Sequence, residues 1–189
     1  MPWNCWVINK FGGDNPPKKW EIILIELRKY LSSKYINKIE VAAFTIRSSR
    51  KLRWVIPSNH SEYATKKDSL SAAIKLTNLL LCSKGAPPVN SKLKKLLRLK
   101  KNITKCPLCI KHISLIDYDK DGRKEPDSIQ MGHKIPLSRK KKSHNGTNVF
   151  WAHRFCNFLQ GDRTVKEVFI HMSKVLKANG YIVTKRKSI

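Results

Sequence analysis

The spacing of apolar residues predicts three long helices. Apolar positions recur every three or four residues after Pro16 and Pro17, which favours an amphipathic helix over residues 18–32. The same period predicts a second helix over residues 68–82. A third runs over residues 165–180, with Gly180 at its end.

Other patterns along the chain predict shorter elements. The β-branched and aromatic runs 39–46 and 52–56 favour two strands, joined by a hairpin turn at residues 47–51. Residues 91–105 are rich in leucine and lysine and predict a basic helix that buries Leu93, Leu96, Leu97 and Ile103. Residues 181–183 are expected to form a short strand. An α+β fold class follows from this mixture.

These elements suggest four regions along the chain. Residues 1–90 are expected to form a basic α+β domain, and residues 91–105 a helical connector. Residues 106–180 hold the motifs described below, and residues 181–189 form a basic tail. The lysine side of the connector is read either as a solvated face, as a membrane-surface helix, or as a face that follows phosphates.

The charge of the chain calls for a polyanionic partner. Lysine and arginine number 39 against 13 aspartates and glutamates, which gives 189 residues a net charge of +26. Double-stranded DNA is the natural candidate, although ribosomal and chromatin-like proteins are equally basic. The sequence offers no apolar run of about 18 residues and no signal-peptide pattern, so we expect no membrane span and a cytoplasmic location in a bacterial or phage-infected cell.

Two cysteine-containing pairs predict a structural zinc site. Cys106 and Cys109 form one pair with two residues between them, and His153 and Cys156 form the other. Three thiolates and one imidazole suit tetrahedral Zn²⁺, and two such pairs are far more specific than one. The alternative is that the cysteines are buried thiols and His153 an ordinary surface histidine.

The order of these motifs resembles the HNH, or ββα-metal, endonucleases. The Cys-Pro-Leu-Cys knuckle is followed by Gly-His-Lys-Ile-Pro at 132–136, then by Asn148, and then by the second ligand pair and Asn157. The resemblance covers roughly the last 60 to 80 residues. It implies a zinc-stabilised ββα-metal core that hydrolyses phosphodiester bonds in DNA with one Mg²⁺ or Mn²⁺ ion.

The same resemblance assigns roles to single residues. His133 would be the general base, Asn148 would orient that histidine and its loop, and Asn157 would be the principal ligand of the catalytic ion. HNH enzymes usually carry a metal-binding aspartate just before the histidine, where this chain has Gly132. A related group with an Asp-Arg-Gly-His signature also has glycine there and holds magnesium through one asparagine and waters. Asp127 is an alternative ligand if the first strand bends.

His144 lies in the basic loop between His133 and Asn148. Two interpretations stay open for it. It is either a surface loop histidine or a group that contacts phosphate or assists the leaving oxygen.

Two basic clusters are candidates for DNA contacts. Residues near Trp54 would form a ribbon that enters a groove: Arg47, Arg50, Lys51 and Arg53. A second cluster would grip phosphates beside the cut: Arg139, Lys140, Lys141 and Lys142. Solvated turns on a basic protein are the alternative for both.

Taken with the resemblance, the sequence predicts a type II restriction endonuclease that acts as a homodimer on double-stranded DNA. A homing or phage HNH nicking endonuclease is the first alternative. A non-catalytic, zinc-stabilised nucleic-acid-binding protein is the second.

Overall fold

A computed structural model describes residues 17–46, 49, 51–99, 102–122, 124–139 and 143–184. Within these ranges the fold is α+β, with helices around a small antiparallel sheet. The elements in chain order are α1 (Lys18–Leu27), α2 (Ser33–Phe44), α3 (Lys66–Leu81), α4 (Ser91–Leu97), a 3-10 helix (Leu115–Tyr118), β1 (Ile129–His133), β2 (Val149–His153), α5 (Arg154–Gln160) and α6 (Val165–Ala178).

The first prediction of a strand is wrong, because residues 39–44 belong to helix α2. Ile36, Ile39 and Ala43 are all buried and recur every three or four residues. This helical period begins before the β-branched run and continues through it to Phe44. Burial of one continuous helix face therefore overrides the local strand propensity of Ile39 to Ile46.

Residues 52–56, the second predicted strand, contribute only one bridge residue. Leu52 pairs with Thr45 in an isolated antiparallel bridge, and the rest of this segment forms turns. The predicted reversal of the chain is nevertheless there, since the amide of Ile46 donates to the carbonyl of Lys51 at 2.9 Å. A helix end cannot offer a long ladder of partners, which explains why the strand does not extend.

Helix α3 packs against strand β2 in the interior of the molecule. The buried face of α3 carries small residues, among them Ser69, Ala72 and Ala73, which let the strand approach closely. All five residues of β2 are buried. The indole of Trp151 donates to the carbonyl of Leu76 at 2.9 Å and fixes the strand to the helix.

Two antiparallel strands followed at once by a helix form the centre of the C-terminal half. Ile129 pairs with His153 at one end of the sheet, and His133 pairs with Val149 at the other. Helix α5 begins at the residue after β2 and packs on both strands. The loop between the strands returns the chain from His133 to Asn148.

Four further predictions have mixed outcomes. The basic helix stops at Leu97, since Arg98 adopts a left-handed conformation with φ 51°. Leu93 and Leu97 are buried as expected, but Ile103 is 58% exposed. Residues 181–184 contain no strand. Helix α6 confirms the last predicted helix, and α3 confirms the second.

One continuous cluster of buried residues runs from α1 and α2 through α3 to the sheet and α5. The division into functional regions at residues 90 and 105 stays a prediction. None of the helices in the described ranges has the length and apolar character needed to cross a membrane.

Candidate metal centre and cleft

The four residues of the predicted zinc site come together. The ligand atoms of Cys106, Cys109, His153 and Cys156 all lie within 4.8 Å of one another, with 3.2 Å between the Cys109 sulfur and Nδ1 of His153. Three thiols and an imidazole at such separations match the ligand set of a tetrahedral zinc ion. This fit shows a group that can hold a metal such as zinc.

Local structure explains how each pair points at the same place. Cys106 and Cys109 lie in a tight turn closed by a bond from the amide of Ile110 to the carbonyl of Cys106 at 2.9 Å. His153 ends β2 and precedes α5, so Cys156 projects from the first turn of that helix. Burial, followed by the nearby cysteines, raises the pKa of the Cys156 thiol. A bound metal ion would reverse this by stabilising the thiolate.

A cleft of about 1160 Å³ lies between helix α2, the sheet and α5. His133 and Asn157 both line it, together with a set of basic side chains contributed by both halves of the chain: Lys34, Lys38, Arg53, Lys120 and Arg154. The structure therefore brings the proposed base and the proposed metal ligand to one cavity. That cavity carries the positive charge which a phosphate backbone requires.

His133 ends strand β1 and is held in place by its surroundings. Its carbonyl oxygen accepts from Nε2 of Gln160 at 2.6 Å. Its Nε2 atom lies 2.9 Å from Nδ1 of His144. Burial, and after it the positive charge of Arg53, lowers the pKa of His133 to about 4. The imidazole is therefore neutral at neutral pH, as a proton acceptor must be.

His144 is fully buried, so the interpretation of it as a surface loop histidine is wrong. Its Nε2 atom lies 2.9 Å from the carbonyl oxygen of Ala43 in helix α2. Burial also lowers the pKa of His144 well below its usual value, and the charge of Arg53 acts in the same direction. Nothing in the sequence pattern pointed to this contact, since Ala43 lies 101 residues away.

Asn148 closes the loop that follows His133. Its Oδ1 atom accepts from the amide of Ile135 at 2.9 Å, and its Nδ2 atom donates to the carbonyls of Ile135 and Ser143 at 2.9 and 3.2 Å. The carboxamide therefore ties both ends of the loop together. Its bonding atoms are used in holding the backbone, which fits an orienting role rather than a chemical one.

Asn157 lies on helix α5 and faces strand β1. Its Nδ2 atom is 3.4 Å from Oε1 of Gln130. A Cβ atom added to Gly132 would come within 2.7 Å of Oδ1 of Asn157 and within 2.7 Å of the Phe150 ring. The asparagine oxygen thus occupies the space beside Gly132 in which an aspartate side chain would begin. Asp127, the alternative ligand, is exposed and precedes the opposite end of β1 from His133.

Of the eight residues predicted to contact DNA, the structure describes three: Lys51, Arg53 and Arg139. Arg47, Arg50, Lys140, Lys141 and Lys142 lie outside the described residues. Lys51 is exposed. Arg139 lies at the surface and pairs with Glu167 at 3.2 Å.

Arg53 differs from the surface residue that the sequence suggested, because it is only 2% exposed. It donates to the carbonyl of Glu62 at 3.0 Å and lines the cleft together with His133. Its Nε atom has no hydrogen-bond partner in the described part of the chain. Burial lowers the pKa of Arg53 to about 10, so the guanidinium stays charged at neutral pH.

Only the comparison of folds found proteins similar to this chain. No family model matches it, and no curated protein matches it significantly. A solved structure described as "Crystal structure of a type II restriction endonuclease" is similar, with a TM-score of 0.68 and 25% sequence identity. The match covers 85% of this chain and 87% of that chain. The fold therefore resembles that of a type II restriction endonuclease, which suggests a nuclease.

Proposed function

We propose that this protein is a divalent-metal-dependent, site-specific endonuclease of the type II restriction class, with an HNH-like catalytic site that hydrolyses double-stranded DNA. The observation that carries the proposal is the meeting of His133 and Asn157 in one basic cleft, in a fold similar to that of a type II restriction endonuclease. A reaction inside the cell, where foreign DNA is exposed, would suit this activity.

His133 is the general base of the proposed reaction. It takes a proton from the attacking water, and the resulting hydroxide attacks the scissile phosphorus. The bond from phosphorus to the 3′ oxygen breaks, and that oxygen takes up a proton from solvent. The burial that keeps the imidazole neutral supports this role, since a protonated histidine has no lone pair to offer. Asn148 keeps the loop after His133 closed and so maintains the position of the base.

Asn157 would hold the catalytic Mg²⁺ or Mn²⁺ ion together with waters. A neutral carboxamide oxygen is an acceptable ligand for Mg²⁺, which retains several waters in most protein sites. When bound, the ion supplies stabilisation of the negative charge on the phosphate and the leaving 3′ oxygen. The position of Oδ1 supports the assignment, because it lies directly beside Gly132, the residue that precedes the proposed base.

The charge of the cleft supports DNA as the substrate. Basic residues from α2, from residues 51–56 and from α5 face the same cavity. The chain carries a net charge of +26, so each phosphate contact would release counterions and make binding strongly salt-dependent. Zn²⁺ in the cysteine and histidine cluster would have a structural role, since four protein ligands leave no open position for water.

A cleavage assay with a matched histidine variant tests the proposal. Plasmid DNA incubated with the protein and Mg²⁺ should give discrete fragments. His133→Ala should lower the single-turnover rate by about 10²- to 10⁴-fold, the usual contribution of a general base, while DNA affinity changes less than a few-fold. His171→Ala, on the exposed surface of α6, should cleave at the wild-type rate.

The outcomes also separate the alternatives. A single nick or one rare cut would favour a homing or phage nicking endonuclease. Binding without any cleavage, in Mg²⁺ and in Mn²⁺, would favour a non-catalytic nucleic-acid-binding protein. Gly132 is the specific observation behind that last alternative, because it removes one expected metal ligand.

A further inference from the structure

His133 and His144 form a hydrogen-bonded chain that ends on helix α2. Nε2 of His133 meets Nδ1 of His144 at 2.9 Å, and Nε2 of His144 meets the carbonyl oxygen of Ala43 at 2.9 Å. His144 is 0% exposed, so no water competes for either of its ring nitrogens. The two rings meet edge to face, with 5.2 Å between their centroids.

The donor and acceptor of each hydrogen bond follow from the last group in the series, the carbonyl of Ala43. A carbonyl oxygen only accepts, so Nε2 of His144 must carry the proton. Burial keeps His144 neutral, which leaves Nδ1 of the same ring without a proton and able only to accept. Nε2 of His133 must then be the donor of the bond between the rings. Since His133 is neutral too, its Nδ1 atom carries the free lone pair.

The opposite tautomer of His133 is disfavoured by the same contact. With the proton on Nδ1, the bare Nε2 atom would face the bare Nδ1 atom of His144 at 2.9 Å, and a buried hydrogen bond would be lost. The cost of such an unpaired buried group favours the tautomer with the proton on Nε2 of His133 by about tenfold or more.

The hydrogen-bonded series ends at the C-terminus of helix α2. Ala43 is the penultimate residue of α2, and the last four carbonyls of a helix have no partner within it. The partial negative charge at a helix C-terminus makes this carbonyl a good acceptor. Helix α2 therefore holds His144, and His144 in turn holds the ring at the cleft.

We propose that His144 is a positioning residue, which accepts the Nε2 proton of His133 and so presents the Nδ1 lone pair of His133 to the attacking water. The consequence for catalysis rests on the proposed function, whereas the tautomer itself does not. His144 touches neither water nor phosphate in this role, because it is fully buried. It replaces both interpretations that the sequence left open for this histidine.

Two substitutions and one control test the proposal. His144→Leu fills much of the space but offers neither donor nor acceptor. His144→Gln keeps one of each on a planar amide. His171→Gln makes the same exchange at an exposed histidine of α6. Each full-length variant is checked for zinc content and circular dichroism before it is assayed.

The first measurement is the nitrogen-15 spectrum of the imidazole rings, recorded on the DNA-free protein at pH 7. We expect wild-type His133 to carry its proton on Nε2 and the His171→Gln protein to be unchanged. In His144→Leu, the ring should lose this single tautomer. A wild-type His133 protonated on Nδ1 would overturn the proposal. This measurement uses the wild-type protein, so it does not depend on whether a variant folds.

The second measurement is the single-turnover cleavage rate. His144→Leu should cleave about 100-fold more slowly than wild type with similar DNA affinity, and His144→Gln should recover at least tenfold of that loss. Equal rates for wild type and a folded His144→Leu would overturn the positioning role while the nuclease stands. If wild type itself does not cleave, the proposed function fails, and the nitrogen-15 spectrum still decides the direction of the chain.

Discussion

At the scale of single residues, Gly132 shows how the absence of a side chain can be a structural requirement. Its position is filled from the side by Asn157 and by the ring of Phe150, its partner across the sheet. Any Cβ at this position would come within 2.7 Å of both, closer than real Cβ contacts. The packing of α5 on β1 therefore favours glycine at this position.

Replacement of this glycine by alanine should harm both stability and activity. Gly132→Ala must displace the Asn157 carboxamide or the Phe150 ring, at a cost of about 1–3 kcal/mol, which is typical of overpacking. Cleavage should fall more than tenfold, since the proposed metal ligand moves. Gly122→Ala is the matched control, because nothing lies within 4 Å of its added Cβ. Urea unfolding and cleavage assays check both variants, and a fully active, fully stable Gly132→Ala protein would contradict the assignment of Asn157.

The burial of His133 also predicts how the stability of the protein responds to acid. The pKa of His133 falls from 6.5 to about 4 on folding, so the unfolded chain binds a proton that the folded chain refuses. The stability that the neutral His133 contributes is present above pH 6.5 and is lost as the pH falls toward 4. The free energy of unfolding should decrease by about 2–3 kcal/mol across that window through His133 alone.

Acid also weakens metal binding, so a variant is needed to separate the effect of His133 on stability from the effect of metal loss. His133→Gln cannot titrate, and its free energy of unfolding should fall less steeply than that of wild type between pH 6.5 and 4.5. Urea titrations at several pH values give both slopes. Parallel slopes would mean that His133 is not kept neutral in the folded protein.

At the scale of elements, the sequence predicts best where the signal is local or chemically rare. The apolar period locates α1, α3 and α6, although it extends α1 beyond its end at Leu27. The two pairs of the candidate metal site are found because a tight turn holds Cys106 with Cys109 and a strand-to-helix junction holds His153 with Cys156. Both kinds of signal are written within a few residues.

Tertiary contacts account for what the sequence could not predict. Helix α2 carries a β-branched stretch that reads as a strand until burial of Ile36, Ile39 and Ala43 is known. The buried position of Arg53 depends on a turn packed beside that helix. The contact of His144 with Ala43 joins residues 101 positions apart, and no periodicity reports it.

Removal of zinc should unfold the elements that the cluster connects. The cluster ties the knuckle at Cys106 to the junction of β2 and α5, and binding energy at such sites is largely folding energy. Cys109→Ser should lose zinc and most of the near-UV signal of Trp151. Cys82→Ser, a half-buried cysteine outside the cluster, should keep both. Metal analysis and circular dichroism check this, and a chelated protein with full near-UV signal and activity would refute it.

At the scale of the whole molecule, helix α6 has an apolar face that the other described residues leave partly exposed. Val168 is the buried residue of this helix. The remaining apolar residues of the same face are between 40% and 46% exposed: Phe169, Met172, Val175 and Leu176. A contiguous patch of this kind is typical of an association surface. A symmetric pair would place one active site on each strand of a palindromic site, so a second copy of this chain is the partner we propose for it.

The net charge sets the conditions under which such a pair should form. Each copy carries +26, so two copies repel one another at low salt, and a DNA duplex that neutralises both should favour pairing. Sedimentation at about 0.3 M salt, with and without a duplex that holds the cleavage site, should show a wild-type dimer.

Met172→Glu places one negative charge at the centre of the apolar face and should give a monomer that nicks plasmid faster than it linearises it. His171→Glu adds the same charge beside that face and should remain a dimer. A Met172→Glu protein that pairs as well as wild type would exclude α6 as the interface, whereas a wild-type monomer that linearises plasmid in one encounter would exclude the symmetric pair altogether.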